Sequence, residues 1–336
     1  YITRNRSEYF KMFYSAAGGG VIIALMALNK IHIASLGFGE FTTSFLAGLN
    51  YGLGFMLIHM LHCTVATKQP AMTAASFAEQ VDSNEGSKAV DNKLAKLLID
   101  VCRSQSVAVF GNVSIAVLLA AGIAWGYAYT HGQPLLNEAV TAYQLKSIEI
   151  FTQPTLWYAA IAGVWLFCSG IIAGFFDNRS DYLNLRQRLP FNPFLRKIMR
   201  PQPRRRLAAY IHKHYGSLMG NFIFGMLLGM TGYFGHLFGL PLDIRHVAFS
   251  SANLGYAAIS GHADIFTFML GLASVLAIGM VNLVVSFSLA LAVALRSRGT
   301  RLGSMRNLLK SFWSQVKANP LILLYPVQVN NKDNAK

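Results

Sequence analysis

The chain has 336 residues, of which 54% are hydrophobic and 13% charged, with a mean hydropathy of +0.40. Soluble domains usually carry about 25% charged residues, so this composition, with its long apolar runs, excludes an ordinary water-soluble domain and points to lipid as solvent. A net charge of +15 admits nucleic acid or anionic lipid as a partner, and the placement of the charges decides between them.

The first residue is Tyr1 rather than Met, which predicts an excerpt or a processed chain, and no signal peptide precedes the first hydrophobic stretch. A spanning helix needs about 20 apolar residues. Runs that meet this need lie at about 12–28, 43–63, 106–129, 156–176 and 218–240. Between the second and third, Asn92 to Cys102 reads as a short amphipathic helix. The last apolar run, 265–295, is too long for the bilayer core at roughly 46 Å. One long tilted helix is expected there, with two broken pieces as the alternative. The stretch Pro241 to His262 before it is apolar, rich in small residues and short for a span, so a re-entrant or interfacial half-helix is expected over 247–259.

The expected fold is therefore all-α: a polytopic transmembrane helical bundle of about six spans, N-in/C-in. It forms one transmembrane domain over 1–320, with a C-terminal tail at 321–336. With the N-terminus in the cytoplasm, 26 of the 29 Lys and Arg fall on the inner side, ten of them in the loop 177–217. Only Lys30, Lys146 and Arg245 fall outside. This asymmetry satisfies the positive-inside rule and explains the net charge without nucleic acid. Anionic lipid headgroups are the expected partners of the basic segments, above all Arg204, Arg205 and Arg206, with a cytoplasmic protein or a missing N-terminal region as the alternative. Ser311-Phe312-Trp313 beside Lys310 fits an interfacial helix.

Polar residues inside spans are costly and are candidates for function. In the fifth span, Asn221, Gly225, Gly229, Gly232, Gly235, His236 and Gly239 fall within roughly a 120° arc at helical spacing. The glycines predict a helix-packing groove, and a substrate or ion path lined by Asn221 and His236 is the second reading. In the second span, Ser44, Gly48, Gly52, Phe55, His59 and His62 share a face. His59 and His62 suit interfacial hydrogen bonding, or two imidazoles on one metal. In the last run, Asp264, Gly271, Gly279, Asn282 and Ser286 share a face. Asp264 is read as a helix cap and Asn282 as a hydrogen bond to another helix. Asp243, Arg245 and His246 load the outer loop, as an ion-paired hinge or a ligand or proton site, and His246, His262 and Asp264 meet if the half-helix folds back.

Cys63, Cys102 and Cys168 give neither a disulfide framework nor a Cys-x-x-Cys pair. Walker, His-Glu-x-x-His and Gly-x-Ser-x-Gly patterns do not occur. Gly18-Gly19-Gly20 lies within a span as a packing or flexibility feature. No cofactor, metal or catalytic residue is expected.

Gly220-Asn-Phe-Ile-Phe-Gly-Met-Leu-Leu-Gly229, then Gly239-Leu-Pro-Leu-Asp-Ile-Arg-His-Val-Ala-Phe-Ser-Ser-Ala-Asn-Leu-Gly-Tyr256, resembles the bacterial membrane proteins labelled site-specific recombinases of the Gcr family. Gly174-Phe-Phe-Asp-Asn-Arg-Ser-Asp-Tyr182 is similar too. The resemblance implies a Gram-negative inner-membrane location, longer members with an additional N-terminal region and, by the label, DNA recombination. From the residues themselves, a transport or channel-like role is expected first and an envelope scaffold second.

Overall fold

A computed structural model describes residues 5–65, 87–298, 305–323 and 325–326, with side chains of the third helix from Asn92 onward. The polar stretch 66–86 and the tail from 327 lie outside the described residues. The described chain is helical and contains no strand. Its helices are α1 (Arg6–Ser35), α2 (Glu40–Met60), α3 (Ser87–His131), α4 (Glu138–Ile148), α5 (Thr155–Tyr182), α6 (Leu185–Arg188), α7 (Pro193–Ile198), α8 (Pro201–Phe238), α9 (Val247–Ser260), α10 (Ile265–Ser297) and α11 (Met305–Ala318).

Six of these, α1, α2, α3, α5, α8 and α10, are long and apolar enough to cross a membrane. Large apolar side chains such as Leu118, Trp125, Met280 and Ile265 lie exposed on them, as lipid-facing residues do. The run 265–295 is one unbroken helix of 33 residues, about 50 Å long. Two helices differ from expectation. The amphipathic segment 92–102 is not separate but the first part of α3. The polar interruption after it stays helical, with its side chains satisfied locally: Arg103 pairs with Asp100 at 2.6 Å and Ser104 donates to the Asp100 carbonyl at 2.7 Å. α8 starts at Pro201, well before its apolar run, with proline in the first turn where its missing N–H costs nothing.

The chain clusters into two compact units, whose boundaries fall inside α1 and α5, just after α2 and just before α9. The first comprises residues 1–27, 63–164 and 245–336. Its core joins Val113 and Val117 of α3, Ile148 of α4, Ala159 of α5, Val247 and Leu254 of α9, and Val275 and Ile278 of α10. α9 has 14 residues, about 21 Å, too short to span, and is buried on nearly every side. Its small residues permit this: a Cβ on Gly255 would stand 2.5 Å from the Val117 carbonyl oxygen. The Tyr256 hydroxyl, fully buried, donates to the Ala24 carbonyl of α1 at 3.0 Å. The non-helical segment Cys63–Val65 is stitched to α1 and α3, with Asn112 donating to the Thr64 carbonyl at 2.9 Å and to the Ala16 carbonyl. Here Gly18, Gly19 and Gly20 are contact points, since a Cβ on Gly19 would lie 2.4 Å from the Thr64 oxygen.

α11 lays Leu308 and Phe312 against Leu94, Leu97, Leu98 and Val101 of α3. The chain after it docks as well: Arg103 donates to the Ile322 carbonyl at 3.2 Å, and Tyr325 packs on Tyr9.

The second unit comprises residues 28–62 and 165–244. Its centre is a crossing of α2 and α8 at backbone contact. Gly225 faces Gly52, and Gly229 faces Gly48, so that a Cβ on either α8 glycine would fall 2.1–2.3 Å from the opposing backbone. Small residues four apart let two helices approach this closely in lipid. α5 meets α8 the same way, at Gly216 and Gly220 against Ala173 and Ser169.

Candidate functional sites

Asn282 is fully buried in the first unit. Its Nδ2 donates to the Ala159 carbonyl at 2.7 Å and the Arg245 carbonyl at 3.0 Å, and its Oδ1 accepts from the Val247 N–H at 3.0 Å. The Val247 N–H is one of the unsatisfied donors at the start of α9. Asn282 is thus a side-chain clamp that joins α10, α5 and the half-helix. Arg245 reinforces it: Nε donates to the Ser147 carbonyl at 2.6 Å, its backbone N–H donates to the Tyr158 carbonyl at 3.2 Å, and its guanidinium lies over the Tyr158 ring at 5.4 Å.

His246 is buried beside Phe249 at the N-terminal end of α9, whereas His262 and Asp264 follow its other end. About 21 Å of helix separates them, so the three do not meet. Asp264 is the N-cap of α10, where its Oδ1 accepts from the Thr267 N–H at 2.8 Å. These bonds from Thr267 hold its carboxyl below the ordinary carboxylate range.

In the second unit, Asn221 is buried but donates to the Ser217 carbonyl of its own helix at 2.7 Å. His236 is exposed and pairs with the exposed Glu40. Gly235 packs on Leu242 and Gly232 lies beside Asp243, whereas Gly239 ends α8 with a left-handed φ of +62. Asp243 accepts from the Ile244 N–H at 2.8 Å. α2 ends at Met60, so His62 is not on its face; it sits past the helix end with a φ of 56. His59 instead meets His214, which the sequence did not single out. Arg205 and Arg206 are exposed near the start of α8, and Arg204 is half-buried.

Asp177, Asp181, Arg186, His212 and Lys213 line a cleft of about 540 Å³ in this unit. Ser180 Oγ lies 3.0 Å from His212 Nδ1, and His212 Nε2 lies 3.6 Å from Asp181 Oδ1. The connectivity is that of a serine, histidine and aspartate relay. Ser180 is 1% exposed, however, and its hydroxyl donates to the His212 carbonyl. A buried hydroxyl held in this way clasps α5 to α8 and is out of a substrate's reach. Asp177 adds to the clasp by accepting from the Gly216 N–H at 2.9 Å. Among the described residues, no group of three or more His, Cys, Asp or Glu is placed to hold a metal ion.

On α11, Arg306, Leu309, Lys310, Trp313, Ser314 and Lys317 line a groove of about 790 Å³ along one face. These residues recur at helical spacing on the side away from α3, with Trp313 55% exposed.

Fold and sites together define a multi-helical membrane protein. The chain belongs to the site-specific recombinase family, whose profile, described as "Site-specific recombinase", matches residues 1–326. Neither a curated protein nor a solved structure matches it.

Proposed function

We propose that this protein is a multi-pass scaffold of a bacterial inner membrane that docks its basic interfacial surface on anionic phospholipid headgroups. The observation that carries this is the two-faced α11. Its apolar stripe is used up against α3, and the opposite stripe joins three cations to an exposed tryptophan and leucine. Cations over aromatic and aliphatic groups suit the headgroup layer of a membrane. The charge count supports a cytoplasmic position for this face, since 26 of 29 basic residues then share it. A transport or channel-like role has less support, because Asn282 is fixed by three backbone partners and Asn221 turns back on its own helix.

Three cations near an anionic surface contribute about 3 kcal/mol, roughly a hundredfold in affinity. The test uses the full chain in nanodiscs containing brominated lipid. Trp313 fluorescence, taken as the difference between wild type and Trp313→Phe, is expected to be quenched more by brominated anionic lipid than by brominated neutral lipid. The preference is expected to disappear in Arg306→Ala/Lys310→Ala/Lys317→Ala. Equal quenching by both lipids in the wild type refutes the assignment.

Membership of the family favours a second reading, DNA strand exchange, as its description says. That chemistry passes through a covalent bond between a protein hydroxyl and a DNA phosphate. The full chain incubated with supercoiled plasmid would then retain DNA after denaturation in SDS.

A further inference from the structure

His59 lies in the last turn of α2 and His214 on α8, and their ring nitrogens Nε2 and Nδ1 are 3.2 Å apart. The rings cross at 63°, and His214 stacks on Tyr210 with centroids 4.5 Å apart. The helices that carry them cannot drift. The glycine contacts at 48, 52, 225 and 229 hold α2 against α8, and Phe55 packs on Phe224 one turn from His59. Two nitrogens each 2.0–2.1 Å from one tetrahedral ion stand about 3.3 Å apart. The observed spacing meets that requirement without movement of either helix. A hydrogen bond between the rings gives the same spacing, with one proton where the ion would be.

We infer that His59 Nε2 and His214 Nδ1 bind one divalent transition-metal ion of the kind that prefers imidazole, such as zinc or copper. With two protein ligands, water completes the coordination. His62, Asp177 and Lys213 all act electrostatically on His214. His62 sits on the exposed corner just past α2 and is not counted among the ligands, since no group of three is placed around an ion among the described residues. Lys213 opposes a cation here and Asp177, the weaker of the two influences, favours one; both side chains are exposed, so solvent screens both. The ion would pin the end of α2 to α8 near the end of the basic segment 177–217, which contains His214.

Isothermal titration of the full chain in mild detergent with zinc chloride tests this. One ion per chain is expected. His59→Ala and His214→Ala should each weaken binding at least about tenfold, while exposed His236→Ala leaves it unchanged. His214→Asn keeps a hydrogen-bonding partner for His59. It should retain the wild-type melting temperature while losing the zinc-induced rise in that temperature. Bound copper should show splitting from two imidazole nitrogens by electron paramagnetic resonance. Absence of saturable zinc binding by the wild type, or affinity unchanged in both His59→Ala and His214→Asn, overturns the assignment.

Discussion

Asn282→Ala tests whether the deepest polar residue of α10 is a clamp or part of a path. The substitution strips three backbone groups of a partner: the Val247 N–H and the carbonyls of Ala159 and Arg245. The two carbonyls belong to backbone that keeps other neighbours, so the stranded N–H dominates. A buried unsatisfied group costs about 1–3 kcal/mol, and side-chain hydrogen bonds in membrane proteins average about 0.6 kcal/mol. The expected loss is therefore ~2–4 kcal/mol, concentrated at the start of α9. Asn282→Asp should be at least as harmful, because it keeps the acceptor for Val247 but turns a carboxyl toward two carbonyl oxygens. The assay has two parts: reversible unfolding in mixed micelles at increasing SDS mole fraction, and hydrogen exchange of peptides from 247–260 by mass spectrometry. Protection of α9 should fall while peptides from the middle of α8 stay protected. A stability change under about 0.5 kcal/mol with α9 protection intact would refute the clamp.

Gly225→Ala should destabilise by about 1–3 kcal/mol, since its Cβ would stand 2.1 Å from the Gly52 nitrogen. Gly126→Ala, whose Cβ meets open space, should be neutral or stabilise by about 0.5–1 kcal/mol; thermal melts of the two variants in one detergent compare them. Asp264 has a carboxyl held below its ordinary value, so its capping contribution is fully present above that value and is lost as pH falls through the lower, folded-state value. Asp264→Asn should keep the cap and flatten this acid limb, while Asp264→Ala should fray residues 265–268 at neutral pH. Amide protection of that turn measured across pH reads both. Arg245→Leu should leave the Ser147 carbonyl only the longer 3.4 Å bond from the Thr155 hydroxyl and loosen α4 against the start of α9, seen as faster exchange over 144–150.

Hydropathy made the six spans legible because lipid demands about 20 apolar residues whatever the tertiary structure. The cap at Asp264 could be anticipated because an N-cap depends only on neighbours in sequence. The full lengths of α3 and α8 could not. Arg103-Ser104-Gln105 and Arg204-Arg205-Arg206 lower the hydropathy that marks a span without lowering the tendency to stay helical, since arginine is a good helix former and Arg103 finds a partner in Asp100. His62 was placed on the face of α2 by extending a helix two residues too far, which is the ordinary error at helix ends. Its replacement beside His59, His214, is 155 residues away in the chain, and periodicity carries no information across that distance. The same holds for the partners of Asn282: its depth marked it as a hydrogen bonder, but only the fold supplies Ala159, Arg245 and Val247.

The clamp on the half-helix also constrains the order of biogenesis. α9 leaves the ribosome before the residue that fastens it, because Asn282 follows Val247 by 35 positions. A 14-residue segment cannot hold a transmembrane position alone; α1, α3 and α4 are already there to receive it, but its first turn stays unfastened until α10 is synthesised. Completion of the first unit is therefore a late event, with the last spanning helix acting as a bolt that slides home after the wall has been built. Truncation before Asn282 should leave the earlier spans inserted and the first turn of the half-helix loosened.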